Sequence, residues 1–183
     1  MSLFLVLRVY PPHRPFILTM QGLVDGQVAA LKLFHGRKQG AEEAYEHELK
    51  MYKDLAILQG KTIPRLLCSG VLMFTDTLFL ALSFEGNCLD EAYRGLEVPD
   101  EVEARMVKAL GELHQVGALH GDVRLANFAS SDDGCTIRLI DLERSELLLA
   151  KPDSAEMEGL ANAMKAELCR VHDICKSVTL YDR

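Results

Sequence analysis

One carboxylate limits what this chain can fold into. From Ala41 to Leu58 the sequence has the pattern of an amphipathic helix, closed by Gly60 with Pro64 just beyond. One ridge of it reads Ala41, Tyr45, Glu48, Tyr52 and Leu55. Those steps of four and three residues are the spacing of a buried face. Glu42, Glu43 and Asp54 lie off the ridge and need no explanation, but Glu48 lies on it. A carboxylate set in an apolar stripe is costly unless a cation is buried beside it. The fold must therefore bring a basic side chain to this helix.

Strands precede the helix: Leu3–Tyr10, Phe16–Leu23 and Gln27–Phe34, the last two joined by Asp25-Gly26, a good hairpin signal. Two more follow it, Leu66–Met73 and Leu78–Phe84, running into the loop Glu85-Gly86-Asn87. A second helix is predicted over Asp100–Val116, with Val102, Met106, Ala109, Leu110, Leu113 and Val116 on its apolar side and Gly117 at its stop. A polar loop leads to a short hairpin turning at Asp132-Asp133-Gly134 and to a strand at Ile137–Ile140. The last helix starts near Asp153, where Glu156 resembles the second half of a capping box. Met157, Leu160, Ala161, Met164, Leu168 and Val171 share one face of it. The fold class is therefore α+β. A strand-rich part and a mostly helical part meet near residue 86, and a cleft between two such lobes is the default ligand site.

With 183 residues the chain suits one domain, or two small lobes. Its 49% hydrophobic and 26% charged residues are those of a globular protein. A formal net charge of −7 argues against a general nucleic-acid binder. Cys68, Cys88, Cys135, Cys169 and Cys175 show no paired zinc-site spacing. Their odd number, without a secretory signal, fits reduced thiols in the cytoplasm or nucleus. The apolar start contains Arg8 and runs into Pro11-Pro12; it is too short for a membrane span and lacks the basic start and small-residue cleavage site of a signal peptide.

The densest chemistry is His120-Gly121-Asp122-Val123-Arg124-Leu125-Ala126-Asn127, followed by Asp141 at a strand end. Asp122, Asn127 and Asp141 offer three side-chain oxygen donors. Mg²⁺ takes few hard oxygens from protein and leaves the rest to phosphate and water. Asn127 and Asp141 suit that ion, while Asp122 suits accepting a proton from an incoming hydroxyl, or orienting it. Glu48, Asp122 and Asp141, three acids around one cleft, would also repel one another unless a cation joins them. Taken alone, His120 reads as a structural histidine, and a lysine ending an apolar strand reads as a solvated terminus.

Together these pieces resemble the protein-kinase-like superfamily. The segment from His120 to Asn127 is similar to the catalytic loop H-x-D-x-x-x-x-N, and Ile140-Asp141-Leu142-Glu143 stands in the place of D-F-G. Ala29-Ala30-Leu31-Lys32 resembles the V-A-I-K strand, and Glu48 matches the helix glutamate that pairs with its lysine. Leu78 to Gly86, with Ser83, Phe84 and Glu85, looks like the strand and hinge lining an adenine pocket. The resemblance covers about residues 16 to 145. It implies a two-lobe fold over 1–183, with an antiparallel N-lobe sheet and one helix in 1–86 and a reduced, mostly helical C-lobe in 87–183. It implies ATP and Mg²⁺ as cofactors, Lys32 on the phosphates with Glu48 fixing it, Asn127 and Asp141 on the metal, and Asp122 and Arg124 as catalytic residues.

Four departures bear on activity. Tyr10-Pro11-Pro12-His13-Arg14-Pro15 stands where a glycine-rich phosphate loop belongs and contains no glycine. Gly121 replaces the arginine of H-R-D, so no phosphorylated loop is expected to be held there. Glu143 replaces the glycine of D-F-G. No A-P-E follows, and only one long helix is predicted after Asp141. HGD and DLE are similar to the aminoglycoside and choline phosphotransferases, whereas the single hinge and the V-A-I-K-like strand resemble protein kinases. The expected function is ATP-dependent transfer of phosphate to a hydroxyl, with protein Ser/Thr as the leading acceptor. The alternatives are a pseudokinase serving as a nucleotide- or protein-binding module, a small-molecule kinase, and a gene fragment without independent function.

Overall fold

The computed structural model describes residues 5–9, 17–131, 134–148 and 154–177. The chain divides into two compact units, Met1–Gly60 with Pro64–Phe84, and Lys61–Ile63 with Glu85–Arg183.

The first unit is built on five antiparallel strands: β1 (Leu5–Val9), β2 (Ile17–Val24), β3 (Gln27–His35), β4 (Leu66–Val71) and β5 (Thr77–Ser83). Their order across the sheet is β1-β2-β3-β5-β4. Asp25-Gly26 makes the expected two-residue turn, since Val24 pairs with Gln27. Side chains alternate across a strand, so β3 presents Ala29 and Leu31 to one face and Lys32 and Phe34 to the other. Ala29 and Leu31 join Met20, Val24, Phe79 and Ala81 in one buried cluster. The opposite face carries the helix α1 (Ala41–Asp54), which contacts β3 and β5. Ala41, Glu48, Met51, Tyr52 and Leu55 are buried, and the Tyr45 ring meets Phe34 edge-on at 5.6 Å.

The helix expected to reach Leu58 stops at Asp54 and continues as a 3-10 turn over Ala56–Leu58. Gln59 explains the early stop. Its Nε2 donates to the Tyr52 carbonyl at 2.7 Å, and its Oε1 accepts the Leu66 N–H at 2.9 Å. One side chain thus satisfies a carbonyl that the helix end leaves open and ties the exit to β4.

The second unit packs helices around a three-stranded sheet of order β6-β8-β9: β6 (Asn87–Cys88), β8 (Phe128–Ser130) and β9 (Ile137–Leu139). Its helices are α2 (Leu89–Ala92), α3 (Asp100–Gln115) and α4 (Ser154–Lys176). The short strands β7 (Ala118–Leu119) and β10 (Glu146–Leu147) pair antiparallel. Met106, Ala109, Leu110 and Leu113 of α3 are buried, as are Val171, Ile174 and Cys175 of α4 and Phe128, Ile137 and Leu139 of the sheet. Each large apolar side chain buried here stabilises the fold by about 1.5–3 kcal/mol. Lys61–Ile63 belongs to this unit because Leu139 donates its N–H to the Thr62 carbonyl at 2.8 Å.

Two of the glycines set in close contacts with main-chain carbonyls also have a positive φ. At Gly86, with φ of 92°, a Cβ would fall 1.9 Å from the Ser130 carbonyl oxygen. The β6–β8 pairing begins one residue later, so only glycine fits there. The other is Gly121, in the loop below.

The last helix corrects one expectation. Met157 is 58% exposed and Ala161 is exposed, so the apolar face predicted for α4 is not buried at its start. Fully buried side chains begin at Val171, because α3 covers only part of the longer helix. Tyr10–Pro15, the Asp132-Asp133 turn and the capping residue Asp153 lie outside the described residues.

Candidate active site

In the first unit, Lys32 lies mid-strand on β3, opposite Leu80 on β5. Its Nζ donates to Glu48 Oε2 at 2.6 Å, and the two side chains are 9% and 0% exposed. The cation that Glu48 required is therefore Lys32. The ammonium also stands 5.7 Å from the centre of the Phe34 ring. Helical spacing marked Glu48 as needing a cation, and the resemblance to the kinase-like V-A-I-K strand pointed to Lys32 as its partner. Removing either charge would strand the other in the core, at a cost of about 3–5 kcal/mol.

In the second unit, the loop after β7 places the remaining residues. His120 is fully buried. Burial is the main influence on its imidazole and lowers its pKa, against the opposite pull of the Ile140 carbonyl and of the Glu167, Asp141 and Asp122 carboxylates. The ring is thus neutral, and its contacts fix the tautomer. Nε2 lies 3.1 Å from the Ile140 carbonyl and must donate, which leaves Nδ1 to accept the Asp122 N–H at 3.3 Å. Ser145 Oγ donates to the His120 carbonyl at 3.1 Å. His120 therefore ties Asp122 to the strand end before Asp141. The structural reading of this histidine holds.

Asn127 closes the loop. Its Nδ2 donates to the Asp122 main-chain carbonyl at 2.8 Å and to Asp122 Oδ2 at 3.1 Å, while the Asn127 main-chain carbonyl accepts the Ile140 N–H at 2.9 Å. Arg124 lies between the two acids. Its Nε is 3.2 Å from Asp122 Oδ2, and its Nη2 is 3.9 Å from Asp141 Oδ2. Asp141 has φ of 65° and ψ of 73°, a left-handed conformation that costs a non-glycine residue about 1–3 kcal/mol. Asp122, Arg124, Asn127 and Asp141 thus form one connected group.

These residues fit a magnesium ion. With its amide nitrogen committed to Asp122, Asn127 keeps its side-chain oxygen as the acceptor end, and Asp141 supplies a carboxylate. Among the described residues no three His, Cys, Asp or Glu side chains gather closely enough to hold a metal by themselves. An ion here would draw its other ligands from phosphate and water, as Mg²⁺ does.

The side chains of Ser83 and Glu85 are engaged within the protein. Ser83 Oγ accepts the Arg65 N–H at 2.8 Å, and Ser83 N–H donates to the Arg65 carbonyl at 2.8 Å. The Glu85 carboxylate pairs with Arg138 of β9, with both side chains largely buried. Phe84 is half-buried.

Sequence reading missed Glu167. Its Oε1 accepts the Gly121 N–H at 2.6 Å, and its Oε2 accepts the His120 N–H at 3.2 Å and faces His114 Nε2 at 2.7 Å. Burial works against its charge, but the hydrogen bonds from His114, Gly121 and His120 together outweigh it and hold the carboxyl below its ordinary range. The signal was present, for Glu167 follows Met164 by three residues and precedes Val171 by four. That is an acid on an apolar ridge, the same pattern that singled out Glu48. Gly121 itself has φ of 75°, and a Cβ there would lie 2.1 Å from the Arg144 carbonyl oxygen. No arginine of the H-R-D kind fits this backbone.

Compared with known proteins, the chain matches no family model and no curated protein. Among solved structures 1957 chains match it, so the fold is a populous one. One is a crystal structure of a kinase domain, with a TM-score of 0.73 at 16% identity, covering 98% of this chain and 66% of that one. The chain thus spans just under two-thirds of that domain's length. An antiparallel sheet bearing one helix, followed by a helical unit with a small sheet, is the protein-kinase-like fold, and this chain has it.

Proposed function

We propose that the protein is a phosphotransferase that uses ATP and Mg²⁺ to phosphorylate a hydroxyl, with protein serine or threonine as the leading acceptor. The buried Lys32–Glu48 pair carries this reading. Buried ion pairs add little net stability compared with apolar packing, so a pair at 2.6 Å in the core is best accounted for by what the ammonium binds. In this reading Lys32 holds nucleotide phosphate and Glu48 fixes its position. Asn127 and Asp141 hold the metal, which shields phosphate charge when bound. Asp122 receives the acceptor's proton or orients its hydroxyl. Arg124 supplies a second cation near the transferred group. Because the Ser83 and Glu85 side chains serve internal contacts, holding the base at residues 83–85 falls to main-chain groups. The odd number of cysteines, five, favours a reducing, cytoplasmic setting, and no helix among the described residues is long and apolar enough to cross a membrane.

A second reading, a module that binds nucleotide without turnover, is favoured by the lack of glycine between Tyr10 and Pro15. Labelled phosphate transfer from ATP separates the two, with autophosphorylation, a generic protein and an amino-alcohol panel run side by side. Transfer that Asp141→Ala abolishes supports the enzyme. A thermal shift with ATP and Mg²⁺ but no transfer above the Asp141→Ala background favours the module. Neither shift nor transfer would refute both.

A further inference from the structure

The position of Arg124 bears on when a metal ion can bind. Its guanidinium lies within ion-pair distance of both Asp122 and Asp141, and it stays charged at any working pH. Its Nε is buried yet makes no aligned hydrogen bond among the described residues, although Asp122 Oδ2 is only 3.2 Å away. Charge holds it there rather than a directed fork of bonds. At 39% exposure the side chain also keeps access to water. A group placed in this way can leave the carboxylates without breaking a well-formed network.

We propose that Arg124 is a resident counter-cation, which weakens the hold of Asp141 on a free divalent ion and makes metal binding conditional on polyphosphate. The inference rests on the metal role proposed for Asp141. A divalent ion at Asp141 sits close to the guanidinium and is repelled by it. A polyphosphate removes the conflict, because guanidinium pairs with phosphate more favourably than with a monodentate carboxylate. As phosphate draws Arg124 towards itself, the carboxylate is freed for the metal that the same phosphate carries. The ion and the nucleotide then bind together, and free cellular Mg²⁺ leaves the site to the arginine. If Arg124 merely braced the loop, removing it would disorder Asp122 and weaken metal binding.

The test is Mn²⁺ binding to the full chain, followed by loss of the free-ion electron paramagnetic resonance signal. It compares the wild type, Arg124→Ala, Arg124→Lys and Asp141→Asn, with and without a non-hydrolysable ATP analogue. Without nucleotide, Arg124→Ala should bind Mn²⁺ about tenfold more tightly than the wild type, as expected when a like charge beside the ligand is removed. Arg124→Lys keeps the charge and should stay near the wild type, and the analogue should erase the advantage of Arg124→Ala. Unchanged or weaker Mn²⁺ binding in Arg124→Ala, while Asp141→Asn still weakens it, overturns the inference alone. If Asp141→Asn leaves Mn²⁺ binding untouched in every background, the metal role of Asp141 falls and the inference with it.

Discussion

At Gly121 the backbone decides which side chain is tolerated. The left-handed φ and the nearby Arg144 carbonyl both oppose a Cβ, so Gly121→Ala should destabilise the protein by roughly 2–4 kcal/mol. Gly111, inside α3, is the control. Nothing lies within 4 Å of its built Cβ, and Gly111→Ala should stabilise by up to about 1 kcal/mol through helix propensity. Urea unfolding of both variants reads the contrast, and a Gly121→Ala protein as stable as wild type would refute the steric argument. The same position shows what a motif can and cannot say. The glycine in place of arginine was visible in the sequence, but its cause was not, since Arg144 is distant in the chain and only the folded loop brings its carbonyl there.

At the scale of elements, α4 anchors the loop between β7 and β8. Glu167 accepts two loop N–H groups, so Glu167→Gln should cost roughly 2–4 kcal/mol at pH 7, as expected for hydrogen bonds to a charged group. The pH dependence has a definite sign. The folded carboxyl titrates below its ordinary 4.5, so on acidification the unfolded chain takes up this proton first. The stabilisation is complete above that value and drains away below it. The stability gap between wild type and Glu167→Gln should therefore narrow from pH 5 downwards, and parallel curves would show that the charge does not matter. Strong periodicity made the elements legible. Alternation and a turn dipeptide sufficed for β2 and β3, and an apolar ridge sufficed for α3. The short β6, β7 and β10 gave no signal, because two-residue pairings are set by neighbours rather than by local pattern. The pairing of Glu85 was hidden for a similar reason, as its partner Arg138 lies 53 residues away.

For the whole molecule, thiol chemistry offers a map of burial across both units. Cys135 and Cys169 are exposed and should react with an aromatic disulfide in the native state. Cys68 and Cys88 are partly buried with their thiols raised, chiefly by burial, and should react slowly. Cys175 is fully buried, with its thiol pushed up to about 11 by burial and by Glu103. It should label only on unfolding, and native labelling of Cys175 at the rate of Cys169 would contradict the packing of α3 against α4. The grip of Glu167 on Gly121 has a further consequence, in time. The two residues are 46 apart, and a ribosome adding about 5–20 residues per second needs roughly 2–9 seconds to cover that interval. For those seconds a nascent chain carries its loop acids with their main-chain tether still unmade.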